Sequence, residues 1–328
     1  MKCHVFGMNG LIFFITIVPI RIRILVIFEN HRELNMNFTI TGYSTALFST
    51  WYFIEEAGVL FDAGDGLTAG LMQKARKINH VFISHADRDH LTGLLQFRQL
   101  NARQDAPKIY YPKHCGSFQA LKQFSENFDP QSQGGIWNGI EDNQSVQINK
   151  ELYVKAIRNS HVKAPPDQFK SMGFSLYRQV AKLRQKYQGL SGEELRSLKR
   201  DKGEDEITEL HQTGLIKYSG DTPVDDYQKW NNTKVLIHEA TFLEPQELSA
   251  NYTNRNLHSN IEEVMKMVSE LNIETLVLGH FSSRYSAEQI DERIRKLCRE
   301  LNIKIPVYRL LPGGVGHDIL KGTPVNQV

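Results

Sequence analysis

Between Met36 and about Asp62 short β-rich runs (FTITG, ALFSTWYFI, GVLFDAG) are separated by glycine and charged residues, the pattern of antiparallel strands in a meander. The period then changes. Leu67 to Lys77 predicts a helix, His80 to Ser84 (HVFIS) a buried strand, and Arg88 to Leu100 a second helix with apolar residues at helical spacing. Later the alternation returns, with strands expected at Leu152 to Ile157, Gly173 to Tyr177 and Lys234 to His238 (KVLIH). A helix from about Ile261 to Leu271, a strand Thr275 to Leu278 and a helix Ala287 to Leu301 follow. Strands paired among themselves and then alternating with helices predict an α/β (α+β) architecture in which helices cover sheets. Gln179 to Glu209, charged and helix-prone between two strand-like regions, reads as an insertion that projects from the body.

The chain's 328 residues suffice for one large core. Its start fits that pattern poorly. The apolar run Leu11 to Ile20, the arginines Arg21 and Arg23, and a second run Ile24 to Phe28 are each too short or too interrupted to span a bilayer. Residues 29–35 offer no small-x-small cleavage site for a secretory signal. Residues 1–35 are therefore read as an extension and 36–328 as the folded domain, with no membrane partner. Cys3, Cys115 and Cys298 are odd in number and far apart, which fits a reducing, cytoplasmic compartment. A formal charge of +2 means that any nucleic-acid site must be local.

The densest chemistry lies in HVFISHADRDHLTGL, residues 80–94, where a strand runs into a loop bearing His85, Asp87, Asp89 and His90. Imidazoles and carboxylates at the end of a rigid strand are a ligand set for zinc, iron or manganese. One alternative is that Asp87 or Asp89 merely caps the next helix. Further ligand types follow strands at His161, at Asp221 in KYSGDTP, and at His280 in TLVLGHFSSRY. Each alone is more often a loop or turn residue, but all four elements in this order are not a chance pattern.

With these motifs the sequence resembles the metallo-β-lactamase superfamily and, within it, the ribonuclease Z (tRNase Z) family. The resemblance runs from about Met36 to Tyr285 and includes HEATF (His238 to Phe242), HSN (His258 to Asn260) and GHFSSRY (Gly279 to Tyr285). It implies an αββα sandwich of two mixed sheets flanked by helices. It also implies two divalent cations, zinc first. One would take His85, Asp87 and His161, the other Asp89, His90 and His280, with Asp221 bridging. A metal-activated hydroxide is then the expected nucleophile, with Asp89 orienting or deprotonating the water. His258 becomes the proton donor to the leaving group, oriented by Glu239; the other reading of His258 is that it only precedes a helix capped by Ser259. Asp87 departs from the family, which has imidazole there. Three carboxylates against four cationic charges leave room for one hydroxide in a neutral centre, which shifts preference toward manganese or iron; alternatively Asp87 does not ligate.

The insertion 179–209 lies where tRNase Z proteins carry a substrate arm. It holds seven cations, Lys182, Arg184, Lys186, Arg196, Lys199, Arg200 and Lys202, against seven acids. A phosphate-binding face and a solvated helical hairpin are both open readings, and the proline-glycine-rich stretch of the family's arm is missing. The resemblance implies precursor tRNA as substrate, touched by Ser283, Arg284, Lys182, Arg184, Lys199 and Arg200, and a homodimer. A hydrolase of a small phosphodiester or other ester, or a silent RNA- or protein-binding relative, are the rivals. PGGVGHDIL, with His317 and Asp318, receives no role.

Overall fold

Every residue of STWYFI, Ser49–Ile54, is buried, a pattern met by a strand covered on both faces. The computed structural model describes residues 38–132, 135–245 and 257–328. The apolar runs and signal reading of residues 1–35 lie outside them. That strand, β2, belongs to a six-stranded sheet with β1 (Ile40–Thr45), β3 (Val59–Phe61), β4 (His80–Phe82), β5 (Lys108–Pro112) and β6 (Trp137–Ile140), in sequential order. The second sheet has seven strands: β7 (Ser145–Gln147), β8 (Leu152–Arg158), β9 (Met172–Leu183), β10 (Thr208–Tyr218), β11 (Thr233–Glu239), β12 (Ile273–Gly279) and β13 (Val307–Arg309), again in order. Each sheet begins antiparallel and turns parallel, from β3 in the first and from β10 in the second. Parallel pairing needs crossovers, and the crossovers supply the outer helices.

Aromatic rings join the sheets. Phe61 of the first sheet stacks on Phe174 and Tyr218 of the second at centroid distances of 5.8 and 5.4 Å, contacts worth about 0.5–1.5 kcal/mol each beyond their burial. Leu67, Leu71, Leu94, Phe97 and Phe118 pack on the outer face of the first sheet. Helices Ile261–Glu270 and Ala287–Glu300 cover the second, giving the expected αββα sandwich. Ala287–Glu300 buries Ile290, Ile294, Leu297 and Cys298, one stripe at helical spacing, and starts from a Ser286–Gln289 capping box. Ile261–Glu270 is capped by Asn260, whose side chain accepts from the Glu263 N–H, not by Ser259. Ser259 Oγ instead donates to the Thr222 carbonyl. Among the described residues no helix is long and apolar enough to cross a membrane.

Three expectations are corrected. The helix predicted over Arg88 to Leu100 is a 3-10 turn, Arg88–His90, and a helix Leu94–Leu100. Gly93 between them packs against Gly64 so closely that a Cβ would strike the Gly64 carbonyl. The predicted helix Leu67 to Lys77 likewise divides into Leu67–Leu71 and a 3-10 stretch, Met72–Lys77. The insertion is not all helical: β9 and β10 stay paired out to Leu183 and Thr208, whereas β8 leaves β9 at Arg178. A two-stranded ribbon therefore projects, and helices Gly192–Lys202 and Glu204–Ile207 occupy its tip; cross-strand pairing overrides the helix propensity of the charged run. PGGVGHDIL also has a place: Gly316 exchanges backbone hydrogen bonds with Gly42, covering part of the outer edge of β1.

Candidate metal centre

The carboxyl ends of five strands deliver the candidate donors. After β4 come His85, Asp87, Asp89 and His90; after β8, His161; after β10, Asp221; at the end of β11, Glu239; after β12, His280. His258 arrives just ahead of helix Ile261–Glu270. Gly220 has φ +58° and lies so near Ser84 and the Met172 carbonyl that a side chain would not fit, which seats Asp221 beside the β4 loop. His280 and Asp62 hold left-handed backbones, φ 60° and 56°, although neither is glycine. Such strain of about 1–3 kcal/mol per residue persists where surrounding structure enforces it.

Hydrogen bonds fix which way each imidazole faces. Asp62, fully buried, accepts from His90 Nδ1 at 2.8 Å, from Ser84 Oγ at 2.8 Å and from Tyr218 Oη at 2.5 Å. Ser84 Oγ, its proton directed to Asp62, accepts from His85 Nδ1 at 2.9 Å. The Leu257 carbonyl accepts from His161 Nδ1 at 2.8 Å. Thr241 Oγ1 donates to Glu239 and accepts from His280 Nδ1 at 2.8 Å. With Nδ1 carrying an N–H in all four rings, each ring turns its Nε2 inward. Nε2 of His85 and of His161 is buried without a hydrogen-bond partner. Nε2 of His90 and of His280 face each other at 3.4 Å. Two neutral rings so placed would repel; a proton or a metal cation between them removes the repulsion.

Among the described residues the donors form overlapping groups whose atoms lie within 4.8 Å of one another. Two of them, His85 with Asp87 and His161, and Asp89 with His90 and His280, are the expected sets, and His258 joins others with His161 and Asp221 and with Glu239 and His280. Asp221 Oδ2 sits 3.7 Å from His85 Nε2 and 3.3 Å from both His90 and His280 Nε2. Asp87 Oδ2 is 3.6 and 3.5 Å from Nε2 of His85 and His161. Ligands about 2.0–2.2 Å from a tetrahedral cation stand about 3.3–3.6 Å apart, and four of these five separations fall in that range. Burial opposes a charge on Asp221, yet His280 and His90 outweigh it and hold the carboxylate well below its usual range. Burial would also lower His90, but Asp221 and Asp62 raise it well above the ordinary imidazole value. An entering cation would displace that proton.

The beta-lactamase superfamily domain model matches residues 58–183. Ribonuclease Z of Pyrococcus horikoshii is 30% identical over 290 residues, covering 80% of this chain and 89% of its own length. The chain belongs to the ribonuclease Z family. The tRNase Z TRZ1 of Arabidopsis thaliana is 26% identical over 79% of this chain and 91% of its own. Among solved structures, the short form of human tRNase Z has a TM-score of 0.54 at 19% identity over 85% of this chain and 98% of its own. A metallo-beta-lactamase fold protein of Bacillus subtilis gives 0.56 at 15% identity over 85% and 99%.

As a ribonuclease Z family member the chain is a metal-dependent hydrolase, and its fold is one that binds divalent metal. Beside the two donor groups stands His258, its Nδ1 3.1 Å from Glu239 Oε1 and its side chain 22% exposed. Burial lowers this imidazole, but Glu239 more than offsets that and pushes it up to about 9. Ser283 and Arg284 lie on the loop that follows His280; the Arg284 guanidinium sits over the rings of Phe242 and Tyr285 at 5.7 and 5.5 Å. Lys182, Arg184, Lys199 and Arg200 are on the projecting ribbon and its tip, not among the donors. Neither Asp87 nor Asp89 caps a helix through its side chain; Asp89 Oδ2 accepts from the Leu47 N–H. Sequence reasoning missed Asp62, Ser84, Tyr218 and Thr241. Asp62 in LFDAG reads as a turn residue, and only the fold brings it under two imidazoles.

Proposed function

We propose that this chain is an endoribonuclease that removes the 3′ trailer from precursor tRNA, cutting after the discriminator base and leaving a 3′-hydroxyl. The observation that carries the reading is the set of inward-facing Nε2 atoms of His85, His90, His161 and His280 around Asp221; the ribonuclease Z and tRNase Z relatives supply the substrate class. His85, Asp87 and His161 would hold one divalent cation, and Asp89, His90 and His280 a second, with Asp221 shared. Bound there, the cations supply Lewis acidity, stabilising charge on the transferring phosphoryl group and lowering the pKa of a water. Zinc is the first expectation; the Asp87 carboxylate favours manganese or iron.

The chain's own groups manage the protons. Asp89 orients the attacking water and accepts its proton as the new P–O bond forms. His258, protonated at neutral pH, gives its proton to the departing 3′ oxygen, and Glu239 holds the ring through Nδ1. Ser283 and Arg284 bind phosphate near the cut. Residues 36–328 form the hydrolase domain and 179–209 the substrate arm, on which Lys182, Arg184, Lys199 and Arg200 meet the RNA. The reading includes a cytoplasmic homodimer, which sedimentation tests.

A trailer-bearing transcript should be cut to mature length by the purified protein, and absence of product with zinc, manganese and iron supplied in turn ends the tRNA reading. A second reading, hydrolysis of a small phosphodiester, draws support from the arm, where Lys199 pairs with Glu204 and Arg184 with backbone carbonyls of Asp205 and Thr208. Turnover of a chromogenic phosphodiester without tRNA cleavage selects it.

A further inference from the structure

The turn between β1 and β2 carries two adjacent large apolar side chains outward, Leu47 at 89% and Phe48 at 61% exposure. Its backbone is anything but loose. Leu47 N–H donates to Asp89 Oδ2 at 3.1 Å, Ala46 N–H to the Phe281 carbonyl at 3.2 Å, and Phe48 N–H to the Thr45 carbonyl at 3.1 Å. Thr45 Oγ1 in turn accepts from Gly313 N–H at 3.1 Å. The turn is thus tied to Asp89, a candidate donor, and to Phe281, which follows His280, a donor of the same group. Leu47 also holds a left-handed backbone, φ 69°, a conformation disfavoured for a branched aliphatic residue. Strain and exposed apolar surface are both costs, and among the described residues packing offsets neither. A rigid apolar tip at the rim of a phosphodiester centre suits one kind of occupant, the face of an unpaired nucleobase beside the phosphate being cut. Every base has such a face, and stacking on an aromatic ring is worth about 1–3 kcal/mol per base.

We propose that Phe48, supported by Leu47, is the stacking platform for the unpaired nucleotide next to the scissile phosphate. The inference rests on the reading that the substrate is RNA and deepens it: the tip selects a single-stranded nucleotide at the cut, whatever the sequence. The second-copy alternative, in which the tip is a subunit contact, is an outcome of the same test.

The test is a double-mutant cycle between protein and substrate. KM and kcat are measured on a trailer-bearing transcript for the native protein, Phe48→Ala, Phe48→Leu and Phe48→Trp, each with the natural RNA and with an abasic residue on either side of the cut. Phe48→Ala is expected to raise KM about tenfold, since 1.4 kcal/mol corresponds to a factor of ten. Phe48→Trp should restore native KM and Phe48→Leu should not, and one abasic transcript should erase the difference between native protein and Phe48→Ala. Equal KM for all four proteins, rescue by leucine as complete as by tryptophan, or a change of sedimentation coefficient in Phe48→Ala overturns the platform while leaving the tRNA reading intact. Native protein that turns over a chromogenic phosphodiester but cuts no transcript overturns both.

Discussion

The metal centre and the projecting ribbon are both crowded with charge, yet they organise it in opposite ways. In the centre three of the four imidazoles have a partner from a different part of the chain, Asp62 for His90, Leu257 for His161 and Thr241 for His280, and the fourth, His85, is held by Ser84, which is itself held by the distant Asp62. On the ribbon the charges pair close to home, Lys199 with Glu204 and Lys186 with Glu206, at the solvent surface. Buried partners fix direction and protonation state, whereas exposed pairs contribute about 0–1 kcal/mol and are screened by salt. Chemistry that depends on where a lone pair points belongs to the first region. A field that gathers a polyanion can come from the second.

The comparison is broken most directly at Asp221. Asp221→Ala, or removal of metal by chelation, should lower kcat/KM by about a thousandfold or more, because in the proposed ligand set Asp221 would be shared by both cations; metal content and cleavage rate measured together check it. Asp62→Asn touches no cation, yet it should weaken metal affinity about 10–100-fold, read by competition with a chelating dye. Tyr218→Phe, which removes one of the Asp62 hydrogen bonds, should act in the same direction by about tenfold or less.

Glu239→Gln sharpens the comparison through pH. His258 must be protonated to act as donor, so activity should fall as pH rises through about 9. Removing the Glu239 charge lowers the imidazole pKa, and the alkaline limb of the kcat profile should move to lower pH; an unmoved limb would remove His258 from the proton path. The smallest effect is expected on the ribbon. Lys182→Ala and Arg200→Ala should each weaken transcript binding a few-fold at low salt and reduce the salt slope by about one unit. Losses there as large as those of Asp221→Ala would mean that the two regions do not divide the work as described.

Much of this was legible in the linear chain because the candidate donors follow recognisable strands: HVFIS before His85, LIKYS before Asp221, TLVLG before His280. The strand runs that later alternate with helices predict sheets covered by helices, and the resemblance to the metallo-β-lactamase superfamily implies the αββα sandwich. What stayed hidden depends on contacts remote in sequence. Tyr218 Oη reaches Asp62 from the other sheet across 156 residues, and Ser84 acquires its role only because Asp62 lies beneath it. The ribbon was read as helix because charge and propensity are local properties, whereas the pairing of Leu183 with Thr208 is not. Short strands such as β5, β6, β7 and β13 carry too few residues for a period to show.

The hydrogen bonds between Gly42 and Gly316 have a consequence for how the protein is made. During synthesis the first sheet can form its hairpin early, but the Gly316 segment can cover its lateral flank only after it too has left the ribosome. A bare flank of that kind templates association with other nascent chains. Chaperone dependence, and insoluble product from truncations ending before residue 313, are therefore to be expected even where the truncated segment contributes nothing to catalysis.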